Sequence, residues 1–425
     1  MKISFKIFIA VIAFIFFVGC NSKNKVKLEL AIKPAMTAAT ILGNPDYLAI
    51  SYGGYRDVNH DIEPTIAQLK EDMKILSAMG IGIIRTYKLH LPHASNVVKA
   101  ILELKKEDPN FEMYVMLGVW INCKNGFTDK APVHNEENLE SNTKEINIAV
   151  SLANKYPDIV KVIAIGNEAM ITWQQQYYVT PNIILKWANY LQDLKKSEKL
   201  PKDLWVTSSD NFAAWGGGED FYHTEDLNKL IHAVDFISMH SYPMHDTHYN
   251  SAFWAVPEDE KDLSDIEKID LALLRSLEYA KNQYESVSNY MKKVGADKPI
   301  HIGETGWATV SNDHYGPNGS KAIDEYKQAK YHDLIRNWTN ENKIACFYFS
   351  AFDESWKDAT NPQGSENNFG LFTIDGKAKY ALWDEVDKGT FKGLKRGDNK
   401  IAKTFNGDKK AMMKTVMVPN TDYPR

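Results

Sequence analysis

Short runs of apolar and β-branched residues, bounded by turn formers, recur along the chain at 47–52, 82–87, 112–119, 160–166, 204–208, 233–240, 300–303 and 344–351. Runs of this length and continuity read as strands buried on both faces. Between them the apolar period changes to that of a helix. Ile66, Leu69, Met73, Leu76 and Met79 share one face, with Pro64 as first-turn proline and Gly80 as stop signal. Ile184, Trp187, Ala188, Leu191 and Leu194 repeat the pattern, and Ile146, Ala149, Val150 and Ala153 do so before Pro157. Continuous apolar strands joined by helices form a parallel sheet covered on both faces, and eight such units in roughly 330 residues fit a closed barrel better than an open sheet. The predicted fold class is therefore α/β, a single (β/α)8 TIM barrel over residues 46–390. A length of 425 residues alone is compatible with two or three domains, but no internal repeat or low-complexity tract divides the chain.

The two ends read differently. Met1 to Lys6 is short and basic, Ile7 to Val18 is an unbroken apolar run, and Gly19-Cys20 follows. The run is shorter than the ~20 residues of a comfortable membrane span, and the pattern is that of an export signal. Its Val18-Gly19-Cys20 ending resembles a bacterial lipobox, in which the cysteine is lipidated and becomes the first residue, with Phe17 where that motif usually has Leu. Residues 1–19 are thus expected to be a signal peptide, Cys20 the lipidation site and residues 20–45 a flexible tether. The protein is expected to be an exported bacterial lipoprotein anchored in a membrane; the motif does not choose between the periplasmic and cell-surface sides. An ordinary secretory signal cleaved nearby is the alternative. Residues 391–425, Lys-rich from Lys392 to Lys410 and short of core residues, are expected to be a C-terminal surface segment with a poorly ordered end near Arg425.

Composition narrows the function classes. The chain has 50 Lys and Arg against 55 Asp and Glu, a net charge of -5. That balance argues against nucleic-acid binding, which rests on Lys and Arg displacing counterions from phosphates. With Cys20 set aside, only Cys123 and Cys346 remain, so at most one disulfide can form and the fold must rest on its core. Both read as buried structural cysteines, since neither has a partner His or helix start that would activate a nucleophile. The 10 Trp, 21 Tyr and 18 Phe exceed what a core needs, and aromatic faces stack on flat apolar ligand surfaces such as sugar rings. A closed barrel gives no reason to expect an oligomer, so a monomer is the default.

In a (β/α)8 barrel the active site lies at the C-terminal ends of the strands. The fourth run ends in Gly166-Asn167-Glu168 and the seventh in Gly303-Glu304-Thr305-Gly306-Trp307. Two carboxylates thus reach one rim from strands that nearly face each other. A single loop Glu is most often merely solvated, but two placed by apolar strands read as a pair. Facing carboxylates ~5–5.5 Å apart suit double-displacement glycoside hydrolysis, in which one attacks the anomeric carbon and the other donates and then removes a proton; wider spacing suits inversion. Sequence supplies no distance, so both outcomes stay open on this ground.

Six stretches carry a resemblance. They are Ile84-Arg85-Thr86-Tyr87, Gly166-Asn167-Glu168, His240-Ser241-Tyr242-Pro243, Gly303-Glu304-Thr305-Gly306-Trp307, Phe352-Asp353-Glu354-Ser355-Trp356-Lys357, and the segment from Glu366 to Phe372. In order and spacing, from about Tyr47 to Asp375, they resemble glycoside hydrolase family 17, the β-1,3-glucanases. Asn-Glu on a fourth strand is shared by a whole clan of retaining barrels; the seventh- and eighth-strand motifs are the more specific ones. The resemblance implies a retaining mechanism with Glu168 as acid/base and Glu304 as nucleophile. It implies that Asn167 bonds the sugar 2-hydroxyl, that Tyr242 holds the nucleophile carboxylate, and that Arg85 keeps that carboxylate ionised and oriented. Glu354 and Lys357 match the family's charged cluster after strand eight, and Glu366 either completes that cluster or is a surface Glu. Trp307, Tyr52, Tyr87 and Trp120 are stacking candidates at sugar subsites, with core packing as the competing role. His240 stands where plant members usually carry Asn, and Lys88 where a small or acidic residue is common; both concern subsite detail. Trp120-Ile121-Asn122 is more like fungal and bacterial members, which include glucan transferases.

Other constellations fail. His240, His245 and His248 lack the matching helix or carboxylate of a zinc site. Trp215-Gly216-Gly217-Gly218 lacks the Lys-Ser/Thr of a phosphate loop and reads as a rim loop. Ser208, Ser209 and Asp210 do not sit on a nucleophile elbow. Two carboxylates need neither metal nor cofactor. The expected function is therefore that of a lipid-anchored glycoside hydrolase cleaving laminarin-type β-1,3-glucan internally, with retention and without cofactor. The alternatives are a β-1,3-glucanosyltransferase on the same two carboxylates and a non-catalytic surface glycan-binding lipoprotein, which has no use for both.

Overall fold

The computed structural model describes residues 36–421. The expected signal peptide, the lipidation site Cys20 and the chain end near Arg425 lie outside the described residues. Eight strands, β1 (Leu48–Ser51), β2 (Ile81–Arg85), β3 (Tyr114–Val119), β4 (Val160–Asn167), β5 (Trp205–Asn211), β6 (Ile237–His240), β7 (Ile300–Gly306) and β8 (Cys346–Phe349), close into one parallel barrel in sequential order. Each expected run forms a strand. β4, β5 and β7 continue past their apolar stretches because the polar ends are paired too: Asn167 with Ser209, Asn211 with His240, and Gly306 with Phe349. The ladder thus carries the chemical residues on rigid backbone.

The crossover helices begin where caps allow. Ile66–Ala78 starts at Thr65, whose side chain forms a reciprocal capping box with Gln68, so Pro64 precedes the cap and does not open the helix. Gly80, at φ +83°, ends it in the left-handed conformation that glycine adopts without strain. Pro92–Glu107 and Pro181–Lys196 do open on proline.

Inside the barrel the side chains change character along the axis. Ala49, Ile83, Met116, Val162, Ala164, Phe236 and Phe347 form one apolar cluster, and Ala38, Ile41 and Leu42 close it from the end where the strands begin. Residues 36–45 therefore belong to the fold rather than to a tether. Their small side chains read as flexible chain, yet they are what a narrow barrel end admits. Above this layer Thr207, Ser209 and Ser238 are fully buried. Gly303 makes room for them, since a Cβ there would stand 2.2 Å from Ser238 Oγ and 2.5 Å from Ser209 Oγ. Arg85, His240 and Glu304 come next, at the mouth.

Residues 391–421 depart from the expected solvated segment. Phe391, Arg396 and Met412 are buried. Arg396 donates to both oxygens of buried Asp72, at 3.0 and 3.2 Å, and lies 4.0 Å over the Phe352 ring. Asp72 also accepts from Arg56 at 2.8 Å and from the Tyr52 hydroxyl at 2.9 Å. One neutralised arginine anchors a segment whose other charges face solvent, which a Lys-rich composition conceals. Both Cys123 and Cys346 are buried and free. Among the described residues no helix is long and apolar enough to cross a membrane.

Candidate active site

At the end of β4 the chain enters the left-handed region at Glu168, φ +47°, while its N–H donates to the Ser209 carbonyl at 3.0 Å. Such a conformation costs a non-glycine residue about 1–3 kcal/mol, and strain of this kind gathers at functional sites. Asp210 clamps the turn that follows, accepting from the Met170 and Asn211 N–H groups at 2.7 and 2.8 Å. Burial drives the Asp210 carboxyl well above the usual range, against the pull of those backbone donors. Its supporting role was not legible in the sequence, where it reads as the last residue of an ordinary strand.

Glu304 on β7 is only 7% exposed. Its Oε1 accepts from Arg85 Nη1 at 2.6 Å and its Oε2 from the Tyr242 hydroxyl at 2.8 Å. Burial alone would raise its pKa. His240, Arg85, Lys357 and the Tyr242 hydrogen bond together outweigh burial and hold the carboxyl at about 2, so it is ionised at neutral pH. Arg85, itself fully buried, also donates to the Gly303 carbonyl at 2.9 Å and to Asn167 Oδ1 at 2.6 Å. A guanidinium has only donors, so the amide oxygen of Asn167 is spent on it and the amide nitrogen is left for the cleft, which Asn167 lines.

His240 stands between the two glutamates. Its Nδ1 lies 3.0 Å from Glu168 Oε1 and 3.8 Å from Glu304 Oε2, and its Nε2 lies 2.8 Å from Ser209 Oγ. With one nitrogen near both carboxylates, Glu168 Oε1 and Glu304 Oε2 reach the ~6.5–9.5 Å of inverting sites only if the three atoms are nearly collinear. The geometry favours the shorter spacing of double displacement.

These residues sit at the base of a cleft of about 910 Å³. Glu354 is buried beside it, with Lys357 Nζ 3.6 Å from its Oε2 and 4.0 Å over the Phe349 ring. Burial raises the Glu354 carboxyl, partly countered by Lys357. Gly53 is the only fit against it, since a Cβ there would come within 1.8 Å of Glu354 Oε1. Trp120 forms part of the wall, with Lys88 Nζ 4.4 Å over its ring. Tyr87 lines the cleft half-buried, its ring 4.8 Å from the Arg85 guanidinium. Tyr52 is fully buried at the floor, its hydroxyl committed to Asp72. Glu366 lines the rim, 3.8 Å from His245 Nε2.

Tyr52, fully buried, has no face open to a sugar, and neither has Trp307. The latter is 0% exposed, lies outside the cleft between Trp254 and Tyr331 at ring distances of 5.5 and 4.9 Å, and donates its indole N–H to the Ala322 carbonyl at 2.7 Å. Its role is core packing, because both its faces and its one polar atom are satisfied behind the strand. The three histidines considered for zinc do not gather either. Among the described residues no group of His, Cys, Asp and Glu can hold a metal ion.

The cleft also includes residues that carried no expected role, Trp356 of the eighth-strand motif among them. Trp173 and Tyr249 stand exposed at its rim, and Tyr177, Asp246, His93 and Trp356 line its walls. Trp173, Tyr177 and Trp356 lie outside helices and strands, His93 lies in the helix Pro92–Glu107, and Asp246 and Tyr249 lie in the helix Pro243–Tyr249; an aromatic residue soon after a strand was the available signal. His93 Nε2 and Trp356 Nε1 are buried without a hydrogen-bond partner. Burial, reinforced by His60, pushes His93 down to about 3, so it is neutral. Two such unpaired ring nitrogens are suited to sugar hydroxyls.

A family model described as the BtgE/BtgC glycoside hydrolase domain matches residues 49–370, which include both glutamates. An endo-laminarinase from Formosa Hel1_33_131, known from a crystal structure, is 60% identical; the match covers 92% of this chain and 99% of that one, with a TM-score of 0.90. A glycoside hydrolase family 17 β-1,3-glucanosyltransferase from Rhizomucor miehei is 18% identical over 79% of this chain and 96% of its own, with a TM-score of 0.53, and shares the fold alone. A glucan 1,3-β-glucosidase from Arthroderma benhamiae is 30% identical over 100 residues, 22% of this chain and 31% of that protein. The chain therefore spans about a third of that curated relative.

Proposed function

We propose, from the premise that this chain belongs to the BtgE/BtgC glycoside hydrolase family, that it hydrolyses laminarin-type β-1,3-glucan at internal bonds by double displacement. Glu168 and Glu304, near one imidazole nitrogen at the mouth of a closed barrel, carry the mechanism. The identity to an endo-laminarinase over nearly its whole length supports the substrate and the internal cleavage.

In this reading the ionised Glu304 attacks the anomeric carbon while Glu168 protonates the departing glycosidic oxygen, and the C–O bond breaks to leave a glycosyl ester on Glu304. Glu168, now a carboxylate, takes a proton from water as that water attacks the same carbon and frees Glu304. Two inversions give net retention. Tyr242 and Arg85 fix the attacking carboxylate by one oxygen each. Asn167 offers its amide nitrogen to the 2-hydroxyl, a contact that strengthens as the oxocarbenium-like transition state forms. The N-terminal pattern ending at Cys20 supports an exported lipoprotein held at a membrane by that cysteine, and a monomer is the default for a closed barrel.

The test is a time course of products by mass spectrometry, from protein lacking residues 1–20, with linear β-1,3-gluco-oligosaccharides and with laminarin. Shorter sugars alone are expected. Early products longer than the starting sugar mark a glucanosyltransferase instead, and binding without turnover marks a glycan-binding protein. Cys20→Ala is expected to release the full chain from membranes; retention there refutes the anchor.

A further inference from the structure

Between β3 and the helix Leu139–Lys155 the chain inserts a hairpin, Cys123–Lys124 paired with Val133–Glu137, that contributes no strand to the barrel. Its contacts go to the loop after β4. The Cys123 N–H donates to the Tyr177 carbonyl at 3.1 Å, the Phe127 N–H to the Gln176 carbonyl at 3.3 Å, and the Thr180 N–H to the His134 carbonyl at 2.9 Å. His134 stacks on Tyr178 with centroids 3.6 Å apart.

The turn of this hairpin is strained. Asn125 and Phe127 both take left-handed backbone, at φ +64° and +58°. Asparagine tolerates that region, but an aromatic residue rarely occupies it. The turn places one ring. Phe127 is 56% exposed, yet lies 5.3 Å from Tyr177 at 18° and 6.2 Å from Trp120. Tyr177 and Trp120 are 4.9 Å apart and both line the cleft. Three rings thus run from the cleft wall to the surface, and the outermost is held open to solvent by backbone that a packing residue does not need.

We propose that Phe127, with Tyr177 and Trp120, forms a stacking platform for sugar residues of a β-1,3-glucan chain that extend beyond the cleft, so that the hairpin favours long chains over short ones. This platform presupposes the glucanase function proposed above. The glucan is its occupant because the rings continue the cleft wall, and because the flat C–H face of a pyranose matches an aromatic face.

The experiment compares kcat/KM on laminarin with kcat/KM on laminaritetraose, for the wild type and for Phe127→Ala, Phe127→Gly and Phe127→Tyr. Loss of one aromatic contact is expected to lower the long-to-short ratio about two- to tenfold in the Ala and Gly variants. The Tyr variant, which keeps the ring, is expected to retain the ratio, as is Tyr190→Ala, an exposed aromatic on the helix Pro181–Lys196. Glycine adopts left-handed backbone without strain, so Phe127→Gly is expected to leave Tm unchanged or raise it. An unchanged ratio in the Ala and Gly variants overturns the platform, and so does a lower Tm in the Gly variant, which marks the ring as a packing residue. A wild type unable to depolymerise laminarin refutes the glucanase function itself and the platform with it.

Discussion

Replacing Tyr242 with Phe removes one hydroxyl and leaves the ring where it is. The ring stacks on His245 at 5.0 Å and meets Phe349 and Phe369 edge-on at 6.5 and 6.0 Å, contacts a phenylalanine keeps. What is lost is the 2.8 Å hydrogen bond to Glu304 Oε2. A hydrogen bond to a charged group is worth about 1.5–3 kcal/mol, and a pKa unit corresponds to about 1.4 kcal/mol. The Glu304 carboxyl, held low by His240, Arg85 and Lys357 as well as by this bond, is therefore expected to rise in the variant. The sign follows from the depression. A carboxyl whose folded pKa lies below its unfolded value of ~4.3 contributes stability above that value and loses it as pH falls through the folded pKa. The variant is thus expected to be less stable than the wild type at pH 7 by about the energy of the bond, with the two converging as pH approaches 2. The acid limb of its kcat/KM profile is expected at higher pH than that of the wild type. Initial rates on laminarin from pH 3 to 8 and thermal melts across the same range check both. A uniform activity loss with no movement of the acid limb, or a stability difference that does not narrow at low pH, refutes the view that Tyr242 acts through the charge on Glu304.

Three further outcomes are expected. Glu304→Gln abolishes turnover, by about four orders of magnitude or more, and retains laminarin binding by calorimetry; activity near wild type refutes the nucleophile assignment. Glu168→Ala keeps residual activity on substrates with good leaving groups and is rescued by azide with a β-glycosyl azide as product; an α-azide marks Glu168 as the nucleophile instead. Arg396→Met leaves Asp72 buried with Arg56 as its remaining cation and costs about 3 kcal/mol in chemical denaturation; an unchanged midpoint shows that the C-terminal segment is anchored by its apolar contacts alone.

The eight strands were legible because each is an apolar run buried on both faces, so no register or partner had to be known. The two glutamates were legible for a related reason: an apolar run fixes which residue comes last, and the last residue faces the mouth. Where the sequence misled, the determinant was remote or the pattern weak. Arg396 and Asp72 meet across 324 residues, and nothing local distinguishes that arginine from its solvated neighbours. Ala38, Ile41 and Leu42 look like linker until the barrel end they close is known. Val133–Glu137 has no buried position and no apolar face, so the hairpin it belongs to gave no strand signal. Trp307 follows Glu304 by three positions and shares its motif, but the chain turns it behind the sheet.

In the proposed double displacement, the contacts around the two carboxylates also suit them to separate tasks. Double displacement needs one carboxylate ionised and the other able to hold and release a proton, and sites of this kind achieve it by unlike surroundings. Glu304 is buried, with an arginine on one oxygen and a phenol on the other. The Glu168 side chain is 21% exposed and, among the described residues, meets one imidazole and has no Lys or Arg paired to it. Exposure gives it exchange with water, which the second half of the reaction requires, whereas Glu304 has every reason to stay charged and still. Both are placed by strands, through Arg85 on β2, Ser209 on β5 and His240 on β6, while Trp173 and Phe127 stand on loops and Tyr249 ends the short helix Pro243–Tyr249. Substitutions in the first group should therefore change the chemical step for every substrate alike, and those in the second should discriminate among substrates by length.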